Sequence, residues 1–276
     1  MKTLCFAALF LSSMWLHDAR AQGTATPQGT PEPPPLPPLL ARHLPDFCQW
    51  TVDYKYKVAA TKEAHDSVMD AYKKLAGQDS SVANAMSNPR FLYALDPPRP
   101  LRTAVVKTGN IRYEVQSMER GFQSECWAFG DTVVERAPDS RKLDVHMDDP
   151  DPEGEFPELT WLSVSNFKER KKIEGVDCLV FQETVDPLAI SNPRGFIAEQ
   201  KNGQNSKGLQ VVKVEVTAVV TDQTRLPVSL QTPTESRRYI FADPPTQMLS
   251  APPEFLAAAK EMKARLEASA RPLSPP

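Results

Sequence analysis

The chain has 276 residues, a formal net charge of −3, and 24% charged against 41% hydrophobic residues. That length fits one large domain or two small ones, and a slightly acidic balance counts against a nucleic-acid binder, which carries a basic surplus. Proline is the outlier at 27 residues, many of them in the tails.

The N-terminus reads as an export signal at residues 1–21. Lys2 is its charged start, residues 4–16 form an apolar run, and Ala19-Arg20-Ala21 is a small-x-small cleavage site that places the mature start at Gln22. The run falls short of the roughly 20 apolar residues of a spanning helix, and the mature sequence has no second long apolar stretch. The protein is therefore expected to be exported, periplasmic or extracellular, and not membrane-spanning. Residues 22–46 are proline-rich. Proline lacks the amide donor and fixes its own φ, so this stretch is expected to be a disordered, extended linker.

The folded body is expected at residues 47–270, with 271–276 as a disordered tail. Trp50, Val52, Tyr54, Tyr56 and Val58 alternate with polar residues, the period of a half-buried strand. Residues 61–75 are expected to be a helix carrying Ala64, Val68, Tyr72 and Leu75, stopped by Gly77. Residues 78–90 read as a loop and 91–95 as a short strand. Strands at 101–107 and 111–118 flank the turn Thr108-Gly-Asn110. Within the second, Ile111, Tyr113 and Val115 share a face opposite Arg112, Glu114 and Gln116. Further strands follow at 122–129, 132–136 and 143–147.

An acidic loop then leads to a short helix at 156–162 and a hairpin of 166–173 with 176–185 across Glu174-Gly175. Residues 186–207 read as a mobile insertion. Val212, Val214, Val216, Ala218 and Val220 open a three-stranded meander that continues through Leu226, Val228 and Leu230 to residues 237–241. Pro252 and Pro253 start a last helix, with Leu256, Ala259, Met262 and Leu266 on one side.

About a dozen short strands with few helices predict an α+β protein: a strongly curved antiparallel sheet, an open or half β-barrel, with a few covering helices. No Gly-x-Ser-x-Gly elbow, His-Glu-x-x-His, phosphate loop or dinucleotide fingerprint is present, so no enzyme, no catalytic residue and no cofactor are expected. His43 with Cys48 is a nucleophile pair only by spacing, since a proline-flanked linker holds geometry poorly. His146 with Asp148, Asp149 and Asp151 lacks the ligand order of a calcium loop, and no metal is assigned. The mature cysteines, Cys48, Cys126 and Cys178, allow one disulfide and a spare thiol or three buried thiols, and the pairing is open.

Several short motifs share an order. They are Lys107-Thr-Gly-Asn-Ile-Arg-Tyr-Glu-Val115, Cys126-Trp-Ala-Phe-Gly-Asp-Thr-Val-Val134, the Pro138-Asp-Ser140 turn, and Val219-Val-Thr-Asp-Gln-Thr-Arg-Leu-Pro-Val228 before Tyr239-Ile-Phe241. Asp222 followed by Leu226-Pro227 is the most characteristic of them. In this order the chain resembles the periplasmic lipoprotein-carrier superfamily, the LolA/LolB/RseB-like fold, over roughly residues 47–245. The resemblance implies an unclosed barrel with a cavity for acyl chains of lipids or lipoproteins. From the strand alternation, the expected lining is Trp50, Val52, Tyr54, Tyr56, Tyr113, Val115, Val212, Val214, Val216 and Val220. The alternative expectation is an RseB-like interaction or sensor domain with a filled core and another envelope protein as its partner.

Overall fold

A computed structural model of the chain describes residues 33–78, 80–86, 98–137, 140–147, 154–191, 193 and 213–269. The export signal, its cleavage site Ala21/Gln22, the strand expected at 91–95, Val212 and the tail from 271 lie outside these.

In chain order the elements are β1 (Phe47–Tyr56), α1 (Val58–Ala76), α2 (Ser80–Met86), β2 (Pro100–Thr108), β3 (Ile111–Met118), β4 (Gln123–Phe129), β5 (Thr132–Arg136) and β6 (Leu143–Met147). Then come β7 (Phe167–Ile173), β8 (Val176–Val185), α3 (Leu188–Ser191), β9 (Val214–Thr221), β10 (Pro227–Gln231), β11 (Glu235–Ala242) and α4 (Pro253–Ser269). The strands form one antiparallel sheet in the order β6-β5-β4-β3-β2-β1-β11-β10-β9-β8-β7. Two meanders, β2 to β6 and β7 to β11, are thus joined by β1, which pairs with both. Trp50 sits opposite Val105 on one side and Phe241 on the other. The sheet does not close, and β6 and β7 are its edges.

Turn chemistry sets the hairpins. At β7–β8, Glu174 and Gly175 take φ of 50° and 86°, the pair of positive angles that matches a tight turn to the twist of its strands. Each strand presents alternate residues to opposite faces, and each face has its own core. On one face Trp50, Val52, Leu179, Phe181, Val216, Ala218, Val220, Leu230 and Tyr239 are buried beneath Leu40, Leu44, Phe156, Leu159 and Ile190. On the other, Trp127 and Val134 are buried beneath Phe255 and Ala259 of α4, with Tyr113 packed alongside. Full burial of such side chains contributes about 1.5–3 kcal/mol each.

Several expectations are corrected. Residues 33–46, expected to belong to a disordered linker, are anchored to the folded body at several points. Pro35, Leu40 and Leu44 are buried, the Ala41 amide donates to the Arg225 carbonyl (2.9 Å), and the Gly109 amide donates to that of Asp46 (2.8 Å). Sparing proline amides does not prevent packing, because Leu39, Leu40 and Leu44 supply apolar surface between the prolines. Residues 80–86, expected to be a loop, are helical: Ala83, Ala85 and Met86 favour helix despite their polar neighbours. β1 ends at Tyr56, and Val58 opens α1 rather than closing the strand. The helix expected at 156–162 is a single 3-10 turn, Pro157–Leu159, and a second 3-10 turn follows at Val164–Asn166. Asn166, at the end of the second turn, folds its side chain back and accepts from the Ser163 amide at 3.0 Å. Within 186–207, residues Leu188–Ser191 form a helical turn that seats Ile190 in the core. In α4 the buried side is Phe255 and Ala259, with Leu256 and Leu266 exposed, because Phe255 is the side chain that reaches Trp127, ring to ring at 6.2 Å.

Candidate functional site

A cavity of about 740 Å³ lies on the sheet face that carries Trp50. Register explains its lining. Trp50, Val105, Glu114, Cys126, Glu135 and Asp144 are successive cross-strand partners from β1 to β6, so they form one row on one face. Val52, Thr103, Gln116 and Ser124 form the next row. The row starts apolar at β1 and β2 and becomes polar from β3 outward. The apolar end is walled by Phe156, whose ring meets Trp50 edge-on at 5.8 Å and Tyr239 at 5.8 Å.

Two guanidinium groups stand where these walls meet. Arg112 reaches Glu155 through Nη1 (3.2 Å) and donates to Glu114 through Nη2 (2.9 Å), and its plane lies over the Trp50 ring at 5.7 Å. Glu155 also holds Lys107 at 3.1 Å. Burial works against the Arg112 charge, yet Glu114 and Glu155 outweigh it and hold its pKa above the usual value. Its Nε is buried without a hydrogen-bond partner. Arg237 donates from Nε to Glu235 (2.8 Å) and from Nη2 to the Ile190 carbonyl (3.1 Å), and it covers the Tyr54 ring at 5.4 Å. Burial opposes its charge too, and Glu158 and Glu235 reverse the balance. The Tyr239 hydroxyl donates to Glu158 at 2.6 Å, and burial, then Glu158, lifts that phenol well above its usual range. Burial also raises Tyr54, whose hydroxyl accepts from Thr103 Oγ1 at 3.4 Å. Glu155 and Glu158 thus tie the segment 154–162 down across the sheet from two sides.

The thiols stand apart. None of Cys48, Cys126 and Cys178 forms a disulfide. Cys48 and Cys126 lie three strands apart, about 14 Å at normal strand spacing, against the ~4.4–6.8 Å that a disulfide allows. Burial raises the pKa of Cys48 and of Cys178, which suits inert side chains rather than nucleophiles. His43 is exposed while Cys48 is buried. His146 borders the cavity, whereas Asp148, Asp149 and Asp151 lie outside the described residues.

Of the residues expected to line a cavity, Trp50, Val52 and Tyr54 do so. Tyr113 and Val115 do not: they occupy the opposite face, where Tyr113 stacks on Trp127 at 4.5 Å. Val216 and Val220 are fully buried core, and Val214 packs against it. Tyr56 borders the end of β2, its hydroxyl donating to the Pro100 carbonyl at 2.9 Å. Alternation in β3 identified its two faces correctly but assigned the apolar one inward. The missed signal was α4, an amphipathic helix that needs an apolar sheet face of its own. Arg112, Glu114 and Gln116 are consequently turned into the cavity.

Compared with known proteins, the chain matches no family model and no curated protein.

Proposed function

We propose that this chain is an exported, non-enzymatic binding protein whose sheet bends into an open half-barrel and holds the apolar chain of a lipid or lipoprotein. The observation that carries this reading is the cavity of about 740 Å³ with Trp50, Val52, Val105 and Phe156 along one wall, a size within the ~300–1,000 Å³ of small-molecule sites. The chain would lie along that wall, and its polar end would face Gln116, Ser124 and Cys126. Resemblance of the Asp222/Leu226-Pro227 motif to the periplasmic lipoprotein carriers supports the same reading. Binding would need no covalent step, only removal of apolar surface from water, about 25 cal/mol per Å².

Denaturing mass spectrometry of natively purified protein tests it. A co-purifying acyl species, or saturable uptake of a fluorescent acyl probe, is the expected result. Absence of both refutes carriage.

The second reading, an envelope sensor domain of the RseB-like kind, is favoured by the solid packing of Leu179, Phe181, Val216, Ala218 and Leu230. It predicts capture of another envelope protein by a variant whose cavity is filled.

A further inference from the structure

Among the described residues the sheet has two open edges, and they differ in kind. β7 carries Lys168, Arg170, Lys171 and Lys172, the basic side chains with which natural edge strands repel a further strand. Arg170 is also anchored, Nη1 donating to the Pro33 carbonyl at 2.8 Å. β6 reads Leu143-Asp-Val-His-Met147 and has neither lysine nor arginine. It pairs with β5 alone, so its outward row of N–H and C=O groups has no strand partner. Asp144 and His146 are exposed, and so is Met147.

The side chains of β6 are complementary to themselves. An antiparallel second copy related by a two-fold axis through Val145 sets Val145 against the partner's Val145 and Leu143 against the partner's Met147. The same axis sets Asp144 against the partner's His146, and His146 against the partner's Asp144. Alternation keeps these classes apart. Acid meets imidazole on the cavity face, and apolar meets apolar on the face that α4 covers. Sliding the pairing by one residue sets Asp144 or His146 against the partner's Val145, and sliding it by two sets Asp144 against the partner's Asp144 or His146 against the partner's His146, so only one register is complementary. Within one chain Asp144 lies opposite Glu135, a like-charge pair that costs stability, and the partner's imidazole would offset it from the other side.

We propose that this chain dimerises by pairing β6 with β6 of a second copy, joining the two sheets into one. Asp144 and His146 border the cavity, so the partner's strand extends the polar wall of each cavity past the sheet edge.

Sedimentation velocity over a concentration series tests this, with circular dichroism to confirm that each variant is folded. Wild type is expected at the mass of two chains. His146→Glu alone places like charges across the axis, Asp144→Lys alone removes the acid that the partner's imidazole faces, and each weakens the dimer on the order of tenfold. The double variant Asp144→Lys/His146→Glu reverses each pair and restores it. Hydrogen exchange of the β6 amides should slow as protein concentration rises. A wild type that is monomeric at every soluble concentration overturns the proposal. So does a dimer that neither single variant weakens, or a double variant no tighter than the singles.

Discussion

Glu155 and Arg112 lie 3.2 Å apart, Oε2 to Nη1, while the other oxygen of the same carboxylate holds Lys107 at 3.1 Å. One acid from the segment that covers the sheet therefore pairs with two cations on β2 and β3, and Glu114 supplies the second negative charge at Arg112. Both Glu155 and Arg112 are largely buried, with side chains 12% and 23% exposed. Removing one member of such a pair strands the other charge away from water.

Glu155→Ala should lower the unfolding free energy by about 3 kcal/mol, read from urea denaturation. Arg112→Met should cost less, since it removes the cation while Lys107 still neutralises Glu155. A double-mutant cycle should show non-additivity between the two positions. Simple additivity would mean that the pair contributes nothing.

Filling the cavity should separate binding from folding. Val105→Phe adds a ring where Val105 borders the void beside Trp50, at a cost of about 1–3 kcal/mol if neighbours must shift. Uptake of a fluorescent acyl probe should fall on the order of tenfold, which corresponds to about 1.4 kcal/mol, while the circular dichroism spectrum is unchanged. Unaltered uptake would place the acyl chain elsewhere.

The 33–46 segment should behave as core. Leu40→Ala and Leu44→Ala should each destabilise by about 2–5 kcal/mol. For a linker both would fall within about 0.5 kcal/mol of wild type. Gly154 offers a second probe. Its φ is +78°, and a Cβ there would overlap the Arg42 carbonyl, so Gly154→Ala should cost at least about 1–2 kcal/mol from the backbone alone. Slow exchange of the Glu155 amide, which donates to Arg42 at 2.9 Å, is the matching observation by NMR.

Alkaline pH should weaken the fold. Burial raises Cys48 and Cys178 above the usual thiol value near 9.0, and it raises Tyr54 and Tyr239 above the usual phenol value near 10.0. A raised folded-state pKa means that the native state keeps its proton longer than the unfolded chain. The stabilisation is complete below the unfolded values and is lost as pH rises from them through the higher folded values. The melting temperature should therefore be level below pH 9 and decline above it. A Cys48→Ala/Cys178→Ala variant should shift the onset of that decline toward the phenol range. Reductant should leave the melting temperature unchanged, since the thiols are free.

Much of the sheet was legible in the amino-acid order. Local signals set the hairpins: Gly109-Asn110, Glu174-Gly175 and the turn after Asp222 lie where two-residue periodicity breaks, and β5 and β8 begin and end where that periodicity does. The burial of Trp50, Val52, Val216 and Val220 followed from alternation alone. Which face of each strand points toward which core did not, because period two distinguishes two faces without saying what covers either. Tyr113 and Val115 were decided by α4, more than a hundred residues away, which claimed the apolar side of β3 and β4 and left Arg112 and Glu114 to the cavity.

The same holds for residues 33–46 and for β1. Proline content described their local stiffness but not the apolar groove into which Leu40 and Leu44 settle. The place of β1 at the centre of the sheet depends on partners at Val105 and Phe241. Local order thus determined strands and turns, since these depend on neighbours in the chain. Tertiary structure alone decided which side of the sheet is packed and which is open, since that depends on contacts between residues far apart in sequence.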